Sequence, residues 1–466
     1  MATTNTTFSR FWRELRELLF LAGPILGAQL ATAGMSFVDT SMAGQYSSVD
    51  LAAIALGASV WIPVFILTKG ILMAITPTVA HLYGARKITS IAAPVRQGLW
   101  MALVLSILTV LLINNSGAVY SLMGVTPDVS ERAVDYLSAV AWGVPALCLY
   151  QVLACYCEGL GQTKPAMIFS FAALLLNVPL NYVLIYGKLG LPELGGVGCG
   201  YATAACCWLM FIMMALYTML SEKHKKMGIF EALDKPDLQE ITTLLKLGAP
   251  IGLAIFFEAS IFSVVGLLIG QLGAVTVAGH QVALNFTTIM FMVPLSLSFG
   301  MTIRVGQSLG AGDGQKAAFS SFSGIAACTL TALVSANIMW WFPEVITSIY
   351  TKDPAVIALA ANLLAFAAVF QLSDGVQAAA NGALRGYKDT RVPMFMTLFA
   401  CWGVALPLGY TLGLTDLLVE PMGPQGLWIG LITALSMVAV LFTLRLRTIS
   451  RRHKEKPGFT ETASVL

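Results

Sequence analysis

Three carboxylates, Asp39, Glu258 and Asp374, lie inside long apolar stretches of this 466-residue chain. An ionised acid near the centre of a membrane-spanning helix costs about 3 kcal/mol, so it is kept only where it faces a polar cavity, meets a donor or takes up a proton. Burial favours the neutral carboxyl and a nearby cation favours the charged one. Reversible protonation, or the holding of a cation, is therefore the chemistry these groups offer; the competing role is that each acid merely ties helices together through a neighbouring donor. Asn177 and Asn181 stand i and i+4 on one helix face, with Pro179 between them freeing backbone oxygens. They could complete the oxygen shell that sodium needs, or serve as hydrogen-bonding glue between helices. Lys69 is an intramembrane cation to which the sequence assigns no role. His280 could relay protons or simply be hydrogen-bonded. Met35, Phe37, Trp61, Phe256, Phe257, Met290, Phe291 and Phe370 cluster around the acid-bearing stretches. Together they suit flat cationic ligands, although packing against lipid or core is the ordinary role of any one of them.

The elements that must position these residues follow from composition. Hydrophobic residues make up 57% of the chain and charged residues 11%, against roughly a quarter charged in soluble domains. Apolar runs near twenty residues recur from end to end, and in lipid such runs become helices because every backbone polar group needs an internal partner. Spans are predicted near 18–42, 53–76, 97–115, 133–157, 166–186, 197–220, 243–270, 277–303, 319–341, 355–381, 393–412 and 425–445. The stretch after Arg10, Arg13 and Arg16 is too long for a signal-peptide core and reads as a retained first span. The eight cysteines, none in a CxxC pair, read as small buried apolar residues. The net charge of +3 implies no nucleic-acid surface.

With a cytoplasmic N-terminus, 23 of the 27 Lys and Arg residues fall in cytoplasmic segments, counting Lys246 and Arg445 at the cytoplasmic ends of their spans, and three, Arg132, Lys188 and Lys352, in external loops. That asymmetry predicts both termini inside.

The chain also repeats itself. Leu21, Pro24, Ile25 and Ala28 recur 226 residues on as Leu247, Pro250, Ile251 and Ala254, and Gly84-Ala85 recurs as Gly310-Ala311. Thr163 and Met167 match Thr390 and Met394 at a shift of 227, and Gly195 and Gly198 match Gly423 and Gly426 at 228. Six spans per repeat is an even number, so the halves are parallel and related by a pseudo-two-fold axis along the membrane normal. The expected fold is an all-α polytopic membrane protein of twelve transmembrane helices in two six-helix lobes. The lobes take residues 1–220 and 247–448, joined by a cytoplasmic linker at 221–246 long enough to let them move, with a disordered tail at 449–466. A cavity between two such lobes is the usual place for a transported substrate. The acids are not duplicated: Asp39 corresponds to Val265, Glu258 to Thr32 and Asp374 to Leu147, so each lobe is expected to own its ionisable site.

The strings FVDTSMAG at 37–44, LNVPLNY at 176–182, PELGGVGCG at 192–200, FFEAS at 256–260, AGHQVALNF at 278–286, IRVGQSLGAG at 303–312, QLSDG at 371–375 and LRGYKDT at 384–390 resemble the NorM branch of the multidrug and toxic compound extrusion (MATE) transporters. The resemblance covers nearly the whole chain. It implies a multi-pass antiporter of a bacterial inner membrane, working as a monomer in the lipid bilayer. Such a protein exports small-molecule drugs and organic cations, cationic or zwitterionic aromatic compounds, against inward protons or sodium ions, with no other cofactor. Asp39 with Asn177 and Asn181 resembles the coupling site of the N-terminal lobe, and Glu258 with Asp374 the cation site of the C-terminal lobe, where Na+ would sit. Ser59 and Gln281 match positions that resemble drug contacts, which joins them to Met35, Trp61, Phe257, Met290, Phe291 and Phe370 as expected substrate-binding residues. Phe291 stands where some sodium-coupled relatives have a tyrosine, which removes an oxygen. Competing readings are a lipid-linked precursor flippase of the wider superfamily and a passive channel. An enzyme is not expected, since no HExxH, GxSxG or comparable string is present.

Overall fold

The structure is a computed structural model that describes residues 2–117, 120, 126–232 and 234–455, with side chains from Phe8 onward. Among the described residues, eleven helices are long and apolar enough to cross a membrane, and the bent pair Pro127–Ala141 and Val144–Gly159 makes a twelfth crossing. All twelve predicted spans are present. The fourth bends by 44° at Trp142 and Gly143, just before Pro145, whose ring nitrogen has no proton to give the preceding turn. The eleventh span, Arg391–Leu414, opens into a π-helical stretch at Phe399–Ala405 immediately before Pro407, which leaves carbonyls of the preceding turn without their usual donor.

Helices outrun the apolar windows. The fourth span reaches Gly159 and the tenth reaches Gly386, so Glu158 and Arg385, which hydropathy leaves in loops, are helical residues; Arg385 is buried. The last helix, Pro424–Lys454, carries four basic residues in its final turn, where positive charge favours the carbonyl end. Residues 449–454 of the expected disordered tail are therefore helical, and 456–466 lie outside the described residues.

The chain forms two compact units, Pro24–Gly252 and Met1–Gly23 with Leu253–Leu466. Their edges thus fall inside the first and seventh helices, at Gly23–Pro24 and just after Pro250, and not in the linker. In the C-terminal unit the helix Pro354–Gly386 is central and packs on Ala274–Gly310, Gly314–Trp341 and Pro424–Lys454. Its alanines allow close approach; at Gly382 a Cβ would lie 2.3 Å from the carbonyl oxygen of Ser298. In the N-terminal unit Gly196–Leu220 plays the corresponding part against Pro127–Ala141, Val144–Gly159 and Lys164–Ile185.

The linker is docked rather than loose. Arg96 pairs with Asp234 at 2.6 Å, Trp100 donates to the Asp234 carbonyl at 2.9 Å, and Gln97 both donates to the Lys235 carbonyl and accepts from the Asp237 N–H. Residues 238–246 already belong to the helix Leu238–Gly270.

The repeat is written into the backbone of each unit. Ala85 N–H donates to His81 and Arg86 N–H to Tyr83, as Ala311 donates to Gln307 and Gly312 to Leu309. Arg86 and Gly312 share a left-handed φ, +57° and +77°. A Cβ on Gly159 would meet the Thr76 carbonyl at 2.9 Å, and one on Gly386 the Thr302 carbonyl at 3.1 Å. Gly195 and Gly423 open the sixth and twelfth spans with φ of +57° and +63°, each donating its N–H back to Ile185 and Gly413 respectively.

Candidate functional site

The N-terminal unit builds a closed cage around Asp39. Its Oδ1 accepts from Asn177 Nδ2 at 3.0 Å and Asn181 Nδ2 at 2.6 Å, and its Oδ2 accepts from the Thr203 hydroxyl at 2.8 Å. The second proton of Asn181 Nδ2 goes to Asn177 Oδ1 at 3.1 Å. Both asparagines are fully buried, and Asp39 is 7% exposed. One acceptor in the cage, Asn181 Oδ1, has no partner among the described residues. The i, i+4 spacing read from sequence puts both amides on the acid, on a helix that continues through Pro179. Thr203 was not anticipated. It arrives because Gly196–Leu220 begins with small residues: a Cβ on Gly198 would press on the Leu184 carbonyl carbon at 2.8 Å, and one on Gly200 on the Tyr136 carbonyl oxygen at 2.9 Å. Gly196, Gly200 and Thr203 follow i, i+4, i+7, so the face that approaches closely also carries the hydroxyl.

The C-terminal unit is open where the other is closed. Glu258 on Leu238–Gly270 and Asp374 on Pro354–Gly386 line a cavity of about 260 Å³ together with Phe262, Thr287, Phe291 and Phe370. Gln377, one turn beyond Asp374, donates to Glu258 Oε2 at 3.3 Å. Asp374 Oδ1 is buried with no partner among the described residues, and neither polar atom of the fully buried Gln371 has one. Gln371, Asp374 and Gln377 stand i, i+3, i+6, a polar stripe on one face of the helix. The Arg385 charge, further along the same helix, acts on Glu258 without contact. Thr287 and Thr288 donate to the carbonyls of Ala283 and Leu284, which leaves hydroxyl lone pairs free to face a cation.

Of the expected substrate contacts, Phe291 and Phe370 wall this cavity, and Phe370 stands edge-on to Phe262 at 5.9 Å. Met290 packs against the core of the C-terminal unit, and Phe257 and Gln281 are partly buried and exposed in the same unit. Met35, buried, Ser59, exposed, and Trp61, stacked on Phe65 at 4.8 Å, belong to the N-terminal unit. His280 is 1% exposed; its Nδ1 accepts from Trp428 Nε1 at 3.3 Å and its Nε2 has no partner among the described residues. Lys69 is half-buried and acts electrostatically on Glu158, an acid that the predicted spans left outside. Asp50, another buried acid, is paired with Arg132 and accepts from the Gly196 N–H, a structural clamp on the start of the sixth span. The eight cysteines are free and buried.

The MatE family model matches residues 24–183 and 250–411, two segments that begin 226 residues apart and end 228 apart, as the internal repeat does. Multidrug resistance protein PmpM of Pseudomonas aeruginosa is 49% identical over 444 residues, covering 95% of this chain and 93% of that protein. Multidrug resistance protein MdtK of Yersinia pseudotuberculosis is 46% identical over 440 residues, covering 94% and 96%. The fold is similar to that of the eukaryotic MATE transporter AtDTX14, with TM-score 0.84 and 20% identity over 96% of this chain and 99% of that one. It is likewise similar to an outward-facing MATE family transporter of the MOP superfamily, with TM-score 0.85 and 18% identity over 94% and 96%. Twelve apolar crossings, a parallel repeat and a family match to both of its halves together make this chain a multi-pass membrane protein of the multidrug and toxic compound extrusion (MATE) family of transporters.

Proposed function

We propose that the chain is a secondary active multidrug efflux antiporter of the NorM branch, exporting cationic or zwitterionic aromatic compounds by alternating access in exchange for protons or sodium ions. The observation that carries the reading is the cavity in the C-terminal unit, where two carboxylates with a single amide donor face aromatic walls. An entering proton, or a sodium ion held by Glu258, Asp374 and the two threonine hydroxyls, meets lone pairs that the protein leaves open. Phe291 and Phe370 contribute no oxygen, so the donor set suits a proton at least as well as sodium. Asp39 with its asparagines is the second coupling element. Relatives named for multidrug resistance at 49% and 46% identity support a drug substrate. The bias of Lys and Arg supports both termini on the cytoplasmic side of a bacterial inner membrane, and the protein acts as a monomer.

Proteoliposomes loaded with ethidium test this. Uphill dye export is expected under an inward proton or sodium gradient, and running each gradient alone separates the two ions. No uphill export under either gradient would end the antiporter reading.

A further inference from the structure

At one edge of the C-terminal unit two adjoining hollows, about 350 and 460 Å³, share Phe322 and Lys454. Arg10 and Phe319 line the first, and Arg447 and Arg451 the second. The residues come from the ends of three membrane-length helices, Phe8–Tyr46, Gly314–Trp341 and Pro424–Lys454. Arg447, Arg451 and Lys454 stand i, i+4, i+7 and so share a face, and the Arg10 guanidinium lies over the Phe319 ring at 5.3 Å.

Four cations are thus held around a concave, aromatic-floored surface. None has a carboxylate partner among the described residues. Glu14 accepts from Arg304 and Ser320, Glu17 pairs with Arg304, Asp389 with Arg445, and Asp313 caps the Lys316 N–H. Glu455, exposed, follows Lys454 in sequence. The helix end bearing the cations is fixed in place. The His453 carbonyl oxygen sits 2.3 Å from where a Cβ on Gly314 would be, and its ring stands edge-on to Tyr387 at 5.2 Å. Four exposed cations gathered on one concave face raise the positive potential there and draw an anion to it. Depth in the membrane says which anion. Phe8 and Trp12, 63% and 52% exposed and edge-on to each other at 5.9 Å, flank Arg10 on the same helix, and an exposed tryptophan at the end of a membrane-length helix favours headgroup level.

We propose that these hollows bind the phosphate headgroup of an anionic phospholipid, with the four cations on the phosphate and Phe319 and Phe322 beneath the glycerol. Basic hollows beside membrane helices recognise lipid headgroups by this means, each cation near the surface contributing about a five-fold gain in binding.

The test uses the full chain in detergent, with lipid binding read by native mass spectrometry and unfolding followed by heating. No gradient is involved, so it can fail while dye efflux succeeds, and the reverse. Phosphatidylglycerol is expected to bind more tightly than phosphatidylcholine and to raise the unfolding midpoint. Arg447→Gln with Arg451→Gln should weaken phosphatidylglycerol about 30-fold, with the midpoint in phosphatidylcholine unchanged. Should that double variant fold poorly, Arg10→Gln, near the start of the chain, should still lose about five-fold. Equal binding of the two lipids, or undiminished phosphatidylglycerol binding in the variants, overturns the proposal. Inorganic phosphate matching the lipid would assign the hollows to a soluble anion and overturn it equally.

Discussion

The two units share a scaffold down to matched turns, yet they treat their acids in opposite ways. Asp39 is surrounded: three side-chain donors within 2.6 to 3.0 Å occupy both of its oxygens. Glu258 and Asp374 share a cavity with one amide donor at 3.3 Å between them, and Asp374 Oδ1 has none among the described residues. The first acid is also held by the architecture, whatever its part in coupling, because its donors would be stranded without it. The second pair is left with an open lone pair among the described residues, and on the proposed function the entering ion completes it. Within a single fold, then, one acid is fully satisfied by its neighbours and another is not.

The sharpest way to break this contrast is to neutralise one acid in each unit. Asp374→Asn keeps size and shape but cannot exchange a proton or balance a cation, and is expected to abolish coupled dye efflux with insertion and unfolding midpoint near wild type. Wild-type efflux in that variant would make Asp374 structural. Asp39→Asn should behave differently, since an amide that keeps its oxygen on the two asparagines turns an NH2 toward the Thr203 hydroxyl, whose donated proton then loses its acceptor. Leaving one buried donor unpaired costs about 1–3 kcal/mol, so a lowered unfolding midpoint should accompany any loss of transport. Thr203→Val removes one donor and should cost about 1 kcal/mol. A midpoint unaltered in both variants, compared in detergent, would show that the cage is not holding the unit together.

Much of this was legible in the sequence, and the parts that were not share a cause. A charge inside an apolar run is visible without structure, which is why Asp39, Glu258, Asp374 and the Asn177–Asn181 pair could be named, and the steady shift of 226 to 228 exposed the repeat. Hydropathy windows, however, stop where polar residues begin, so they cut off the helix ends that hold Glu158 and Arg385. These two are repeat partners of opposite charge, 227 residues apart, which a charge-by-charge reading of the repeat would have found. Thr203 and Gln377 are uncharged and ordinary in a helix. Only the crossing of helices at glycines, a tertiary event, tells them from other polar residues. The linker misled for the same reason, since Gln97 and Trp100 bind its backbone from more than 130 positions away in the chain.

If the scaffold is truly common to both units, equivalent packing lesions should cost alike where equivalent charge changes do not. Gly159→Ala and Gly386→Ala each place a Cβ about 3 Å from a carbonyl oxygen and under 3 Å from a valine, Val79 or Val305. Each is expected to cost about 1–3 kcal/mol by overpacking, with similar drops in unfolding midpoint. A large difference between the two would mean that the matched backbone hides unequal freedom to relax.

The smallest expected effect concerns a device in the N-terminal unit. His224, 2% exposed in the linker, is placed between Tyr156 and Gln162: its Nδ1 lies 2.6 Å from the Tyr156 hydroxyl and its Nε2 3.1 Å from Gln162 Oε1. Since Gln162 Oε1 can only accept, Nε2 carries the proton; the Tyr156 hydroxyl lies within reach of both Nδ1 and the Met227 sulfur, and as a thioether is the weaker acceptor its proton goes to Nδ1, which leaves the ring neutral. Burial, with Lys223 adding its charge, holds the imidazole below its ordinary value of 6.5. A free linker therefore takes up a proton at a pH where the docked one does not, and docking loses stability as pH falls from 6.5 toward the depressed value. Hydrogen exchange across residues 221–237, corrected for intrinsic rate, should accelerate on acidification in the wild type and respond less to pH in His224→Gln, which keeps a donor and an acceptor but cannot titrate. Identical pH responses in the two proteins would show that Arg96, Gln97 and Trp100 hold the linker unaided.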